Sequence, residues 1–150
     1  MKLTKKETDL LKDLKNEEKL CAEKYAKHAE NAVDPQLNKL FTQISQTEQH
    51  HLDTLQQIES GTVPQPGSGS QKQPTFKETY GTRKSADKEN DTYLCADVLT
   101  MEKHASHLYD TCIFEFKDEN IRNTLNHIQK EEQGHGKMIY DYMATNGMYS

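Results

Sequence analysis

One arrangement of acid and imidazole residues is written twice along this chain. Glu18 is followed thirty residues later by Glu48, with His51 three places beyond; Glu102 is followed thirty residues later by Glu132, with His135 three places beyond. One constant offset relates the copies, carrying Glu18 to Glu102, Glu48 to Glu132 and His51 to His135. A Glu from one helix and a Glu-x-x-His from the next, doubled, is the ligand set with which a four-helix bundle holds two metal ions. Few other architectures would bring all six residues into one layer.

The surrounding sequence supplies the helices. Thr4-Lys5-Lys6-Glu7 is a capping box that starts the first. An apolar seam follows at steps of three and four through Leu11, Leu14, Glu18, Cys21, Tyr25, His28 and Ala32. Asp34-Pro35 stops this helix and starts the second: Asp caps, and Pro at the first helical position has no N–H to leave unpaired. The second seam is Leu37, Phe41, Ile44, Glu48, His51, Leu55 and Ile58, and Gly61 ends it. Ser85 caps a third helix with the seam Cys95, Val98, Glu102, Ala105, Tyr109, Cys112 and Phe116. Asp118 caps a fourth, with Ile121, Leu125, Ile128, Glu132, His135, Ile139 and Tyr142, closed by Gly147.

Residues 62–84 form the connection between the second and third helices. They hold every proline except Pro35, and the flexible run Gly67-Ser68-Gly69-Ser70. Fully extended, this segment reaches roughly 75 Å, whereas a 26-residue helix is about 40 Å long. The connection can therefore run the length of a bundle. Phe76 and Tyr80 either pin it to the surface or mark a short helical turn within it.

The offset holds beyond the acid and imidazole set. Tyr25 corresponds to Tyr109, Asp34 to Asp118, Ile44 to Ile128 and Gln49 to Gln133. The expectation is one all-α domain over 1–150, built as a hairpin (1–61), a crossover linker (62–84) and a second hairpin (85–150). This connectivity fits a ferritin-like four-helix bundle with one long crossover.

In an antiparallel hairpin, Glu18 and Glu48 lie level about the Asp34 turn, and Glu102 and Glu132 lie level about the Asp118 turn. Each Glu-x-x-His pair shares one helix face. Four uncompensated carboxylates in a bundle core would cost several kcal/mol each. No Lys or Arg occupies a seam position near that level. Two divalent cations balance four carboxylates with both imidazoles neutral, which favours two metals over one. The alternative is a degenerate site or a buried polar network without metal. A single Glu-x-x-His would mean little in a chain this rich in Glu; the doubled set in seam phase on four helices is far more specific.

Tyr25 and Tyr109 stand seven residues beyond Glu18 and Glu102, two turns along the same face. Each hydroxyl either bonds a ligand carboxylate or packs with a partner elsewhere. His28, His50, His104, His107 and His127 read as surface or seam-edge residues. Cys21, Cys95 and Cys112 form no Cys-x-x-Cys pair and fall on or beside apolar seams, as buried reduced thiols do.

Composition narrows the remaining classes. Only 33% of the residues are apolar and 29% are charged, which suits helices that each bury a narrow stripe. A net charge of −5 offers no general electrostatic case for nucleic acid. No apolar run of membrane-spanning length exists, and the start, Met1-Lys2-Leu3-Thr4-Lys5-Lys6-Glu7, has no secretory apolar core.

These residues resemble the ferritin-like di-iron carboxylate proteins, which include rubrerythrins and ferritins. The resemblance covers both hairpins, with Glu18, Glu48, His51, Glu102, Glu132 and His135 matching its ligand motif and Tyr25 and Tyr109 its frequent tyrosines. It departs in three places. Ala105 stands where rubrerythrins carry a further Glu, residues 1–150 hold no rubredoxin-like Cys site, and the sequence stops at Ser150 where ferritins continue into an additional C-terminal helix. The end, Tyr142-Met143-Ala144-Thr145-Asn146-Gly147-Met148-Tyr149, is similar to the Tyr-Met…Gly-Trp-Tyr close of the spore coat protein F family, with Met148 in place of Trp. Glu17-Glu18-Lys19-Leu20 with Tyr25 shares that likeness.

The resemblance implies two iron ions, with manganese as the rival, and dioxygen or peroxide as reactants of an oxidoreductase-type centre. It leaves open whether the centre turns over or only stabilises the bundle. The spore-coat likeness implies a spore-forming bacterium, a cytoplasmic or spore-coat location, and a homo-oligomer or spore-coat proteins as further partners.

Overall fold

Helix-capping chemistry sets the architecture. In the computed structural model, which describes residues 2–67 and 71–149, α1 spans Lys5–Asn31, α2 Pro35–Glu59, α3 Ala86–Glu115 and α4 Glu119–Thr145. Thr4 Oγ1 accepts from Glu7 N–H while Glu7 accepts from Thr4 N–H, completing the capping box. Asp34, Ser85 and Asp118 cap the other three helices through their side-chain oxygens. Gly61 (φ 98°) and Gly147 (φ 64°) take the left-handed turns after α2 and α4 that other residues adopt only with strain.

α1 packs on α2 and α3 on α4, giving two antiparallel hairpins. The hairpins join mainly through α1 and α3; α2 and α4 approach each other far less. The sequence duplication reappears as duplicated contacts. Asp91, near the start of α3, accepts from Val33 N–H and Asp34 N–H at 2.9 Å, fastening the α1–α2 turn. Glu7, its counterpart in the first copy, accepts from Lys117 N–H at 3.0 Å and fastens the α3–α4 turn. Ser45 donates to the Ala22 carbonyl as Gln129 donates to the Ser106 carbonyl, and the same offset relates both members of these two bonds.

The apolar core falls into two clusters. One contains Tyr25, Phe41, Ile44, Val98, Ile139 and Tyr142; the other contains Leu11, Leu14, Leu55, Tyr109, Phe116 and Leu125. Between them lies the layer of Glu and His side chains.

The crossover runs along α4 beside α2. Near its start the Pro64 carbonyl accepts from the Thr124 hydroxyl, and near its end Thr79 and Tyr80 N–H donate to Asn146 Oδ1. Phe76 packs edge-on against Tyr142, with ring centroids 5.4 Å apart, and Tyr80 donates its hydroxyl to Asp91. Both aromatics thus pin the segment, and no helical turn occurs there among the described residues. Of the run Gly67-Ser68-Gly69-Ser70, all but Gly67 lies outside the described residues. Among the described residues, no helix is long and apolar enough to cross a membrane.

Candidate metal centre

The seam phase carries Glu18 in from α1, Glu48 and His51 from α2, Glu102 from α3, and Glu132 and His135 from α4. All six side chains meet in one layer, and none is more than 3% exposed. Their donor atoms form two overlapping groups of four. Glu18, Glu48, His51 and Glu132 make the first; Glu48, Glu102, Glu132 and His135 make the second; within each, the atoms lie within 4.8 Å of one another. Glu48 and Glu132 belong to both groups, so the two Glu-x-x-His carboxylates are the shared ones, a distinction the sequence left open.

Both imidazoles turn Nδ1 toward the carboxylates. His51 Nδ1 lies 3.1 Å from Glu132 and 3.7 Å from both Glu18 and Glu48. His135 Nδ1 lies 2.8 Å from Glu48, 3.3 Å from Glu102 and 3.4 Å from Glu132. The two rings stack with centroids 6.0 Å apart.

The tyrosine alternatives resolve toward the carboxylates, and across the hairpins. Tyr25 donates to Glu102 at 2.5 Å, and Tyr109 donates to Glu18 at 2.6 Å. Each unshared carboxylate is therefore oriented by the tyrosine of the other hairpin.

The electrostatics are those of a site crowded with negative charge. Burial, reinforced by Glu132, raises Glu18 above the ordinary carboxyl range and raises Glu102 well above it. Burial and Glu48 push Glu132 upward, but the neighbouring Glu102, His135 and His51 groups outweigh them and hold it low. Burial alone would lower both histidines; the surrounding carboxylates overcome this and raise both well above the usual value.

Donors for these acids are scarce. Glu18 Oε2, both Glu48 oxygens, Glu102 Oε2 and Glu132 Oε2 are buried with no hydrogen-bond partner among the described residues. No Lys or Arg is buried among the described residues either. Buried polar groups are nearly always partnered, so five bare carboxylate oxygens around two aimed imidazole nitrogens fit a pair of cations. Mixed carboxylate and imidazole donors suit iron or manganese.

Sequence reasoning missed Glu131. Its carboxylate meets His51 Nε2 at 3.0 Å and His127 Nε2 at 3.4 Å. A carboxylate on the outer nitrogen fixes an imidazole's orientation and leaves Nδ1 free to ligate. Adjacency to Glu132 was a hint, but Glu131 has no acidic twin: the matching position in the first copy is Thr47. The remaining histidines lie outside the two groups. His28 pairs with Asp97 at 2.7 Å, and His104 is largely exposed near Glu17. The three cysteines are free and buried; burial raises each thiol, that of Cys112 to about 11, which leaves them unreactive.

The C-terminal Tyr-Met…Gly-Met-Tyr motif has a structural role in this chain. Tyr142 donates to Asp34 at 2.7 Å, Asn146 anchors the end of the crossover, and Met148 packs against the apolar core.

Comparison with protein families divides the chain at the crossover. Residues 2–59 match the Rubrerythrin family, and residues 90–150 match the Coat F domain. Neither the curated proteins nor the solved structures gave a match. The chain is an all-α four-helix bundle that is similar to the Rubrerythrin family over its first hairpin and to the Coat F domain over most of its second.

Proposed function

We propose that this protein holds two iron ions, or two manganese ions, in the layer between its apolar clusters. Glu18, Glu48, His51 and Glu132 would hold one ion, and Glu48, Glu102, Glu132 and His135 the other, with Glu48 and Glu132 common to both sets and each His offering Nδ1. The observation that carries this reading is the set of buried carboxylate oxygens without donors, grouped four by four around shared Glu48 and Glu132. Tyr25 and Tyr109 hold the unshared carboxylates in place, and Glu131 holds His51.

A reduced metal pair held there would be able to supply two electrons to dioxygen or peroxide. The chain's own part is to fix the carboxylates before the ions arrive and to keep the layer dry between two apolar clusters. The rubrerythrin resemblance supports peroxide or dioxygen as the reactant. The Coat F resemblance favours a second reading, in which the protein is a spore-coat component whose metal only stabilises the bundle.

Metal analysis of freshly purified protein, with its visible spectrum, tests the site. Two equivalents of iron or manganese per chain are expected, falling to background in a Glu48→Gln, Glu132→Gln variant. Unchanged metal content in that variant defeats the assignment. Metal-dependent consumption of peroxide or dioxygen favours the redox reading; full metal content without turnover favours the structural one.

A further inference from the structure

None of the six side chains in the metal layer is more than 3% exposed, so an ion arriving from solvent needs a way in. Three sides of the bundle are closed by helix packing: α1 on α2, α3 on α4 and α1 on α3. The fourth side, between α2 and α4, is sparsely packed and roofed by the crossover. Two grooves open there, and Gln71 of the crossover lines both. Its side chain lies against Gly134 of α4, where a Cβ would collide with Gln71 Oε1.

The two grooves carry opposite chemistry. One, of about 690 Å³, reaches His135 and bears Lys39 and Lys72, with no acidic residue among the described residues that line it. The other, of about 630 Å³, reaches His51 and bears His50, Asp53, His127 and Glu131, with no Lys or Arg among the described residues that line it. A divalent cation is repelled at the first mouth and drawn to the second. The duplication does not account for this difference. The offset that pairs the six ligands sets His50 against Gly134, Asp53 against Lys137, His127 against Gln43 and Glu131 against Thr47. The ligand set is written twice, and the cation-attracting groove only once.

Its four residues are also graded in depth. His50 and Asp53 are exposed, His127 and Glu131 are half-buried, and His51 behind them is buried. Glu131 spans the step from groove to layer. Its Oε1 meets His127 Nε2 at 3.4 Å and His51 Nε2 at 3.0 Å, and its Oε2 has no partner among the described residues. We propose that this second groove is the entrance through which divalent cations reach the metal layer. Asp53, His50 and His127 capture the ion at the mouth, and Glu131 Oε2 passes it beside His51 to the carboxylates within. The inference rests on the two-ion reading of the layer and adds the route by which the layer fills.

The test is stopped-flow loading of chelator-treated, full-length protein with Co²⁺ at low salt, read by the visible absorption of the ligated ion, with the bound equivalents measured at the endpoint. Asp53→Lys with His50→Gln changes two exposed residues outside the ligand set. This variant should load at least about tenfold more slowly, at the lower end of electrostatic steering effects, and still reach the wild-type endpoint. Glu30→Lys makes the same change of charge at an exposed site near the α1–α2 turn, and screening over that distance should leave its rate within about twofold of wild type. Wild-type loading by the groove variant overturns the entrance, as does equal slowing in Glu30→Lys. Lys39→Gln with Lys72→Gln should leave the rate unchanged; faster loading in that variant places the route through the other groove and overturns the proposal too. In each of these results an endpoint of two equivalents keeps the two-ion reading intact. Failure of the wild type to bind Co²⁺ at equilibrium defeats that reading, and the entrance with it.

Discussion

Removing metal from this protein should lower its melting temperature, and the distribution of carboxylates fixes how each Glu contributes. A ligand bound only by the folded state adds about 2.7 kcal/mol at 100 times its dissociation constant. Two ions at that level give about 5.4 kcal/mol. For a chain of this size, each kcal/mol moves the midpoint by about 2–4 °C, so chelation should cost about 11–22 °C. The two groups of four then make a finer prediction. Glu18 belongs to one group and Glu48 to both. Glu18→Gln should therefore remove about half of the metal-dependent shift, and Glu48→Gln most of it. Circular dichroism melts with a fixed excess of manganese and with chelator, on the wild type and both variants, measure this directly. A chelation shift under about 2 °C, or equal losses in the two variants, would refute the claim that shared buried carboxylates are held together by cations.

The metal-free protein should lose stability as pH rises. His51 and His135 are raised in the folded state, so their contribution is complete below the unfolded imidazole value, about 6.5, and disappears as pH climbs through the folded values. Glu18 and Glu102 are raised as well and act in the same direction from the carboxyl range upward, while Glu132 is lowered and acts oppositely only in acid. Melts of chelated protein between about pH 6 and pH 9 should fall steadily; a flat profile contradicts these directions. Glu131→Gln should weaken metal binding by about 10–100-fold, read by competition with a chelating indicator. Asp91→Ala strands the Val33 and Asp34 N–H groups and the Tyr80 hydroxyl. At about 1 kcal/mol each it should cost about 3 kcal/mol in urea unfolding, and a loss below about 1 kcal/mol would show that the turn finds other partners.

The helices were legible because their ends are chemically marked. Thr4, Asp34, Ser85 and Asp118 each cap a helix in the structure, and the stripes between them are the buried faces. The convergence of the six Glu and His residues was legible because spacing fixes height and phase fixes direction in a bundle. What escaped was anything set by rotation between hairpins. Tyr25 reaches the Glu of the other hairpin, and Glu131 on α4 reaches His51 on α2. The shared status of Glu48 and Glu132 has the same origin. No local pattern encodes these contacts, because they depend on how two self-contained hairpins settle against each other. The clasp formed by Glu7 and Asp91 was recoverable in principle: the offset between the copies relates the two acids, and it also relates the turns they hold.

The placement of the acids also says where the bundle is weakest without cations. α1 and α3 join through close helix packing, but α2 and α4 meet sparsely and are spanned by the crossover. Each group of four takes residues from both hairpins, and the shared pair, Glu48 and Glu132, comes from α2 and α4 themselves. Cations at this layer would bind the two helices that packing holds least. The structural and redox readings then meet at one point, since a centre that reacts must first be closed along the α2–α4 seam. Hydrogen exchange distinguishes this from uniform stabilisation. Chelation should speed exchange at the central amides of α2 and α4, residues 44–55 and 128–139, by at least about tenfold over any change in the central turns of α1 and α3. Equal acceleration in all four helices would mean that the ions support the bundle as a whole and do not fasten its open side.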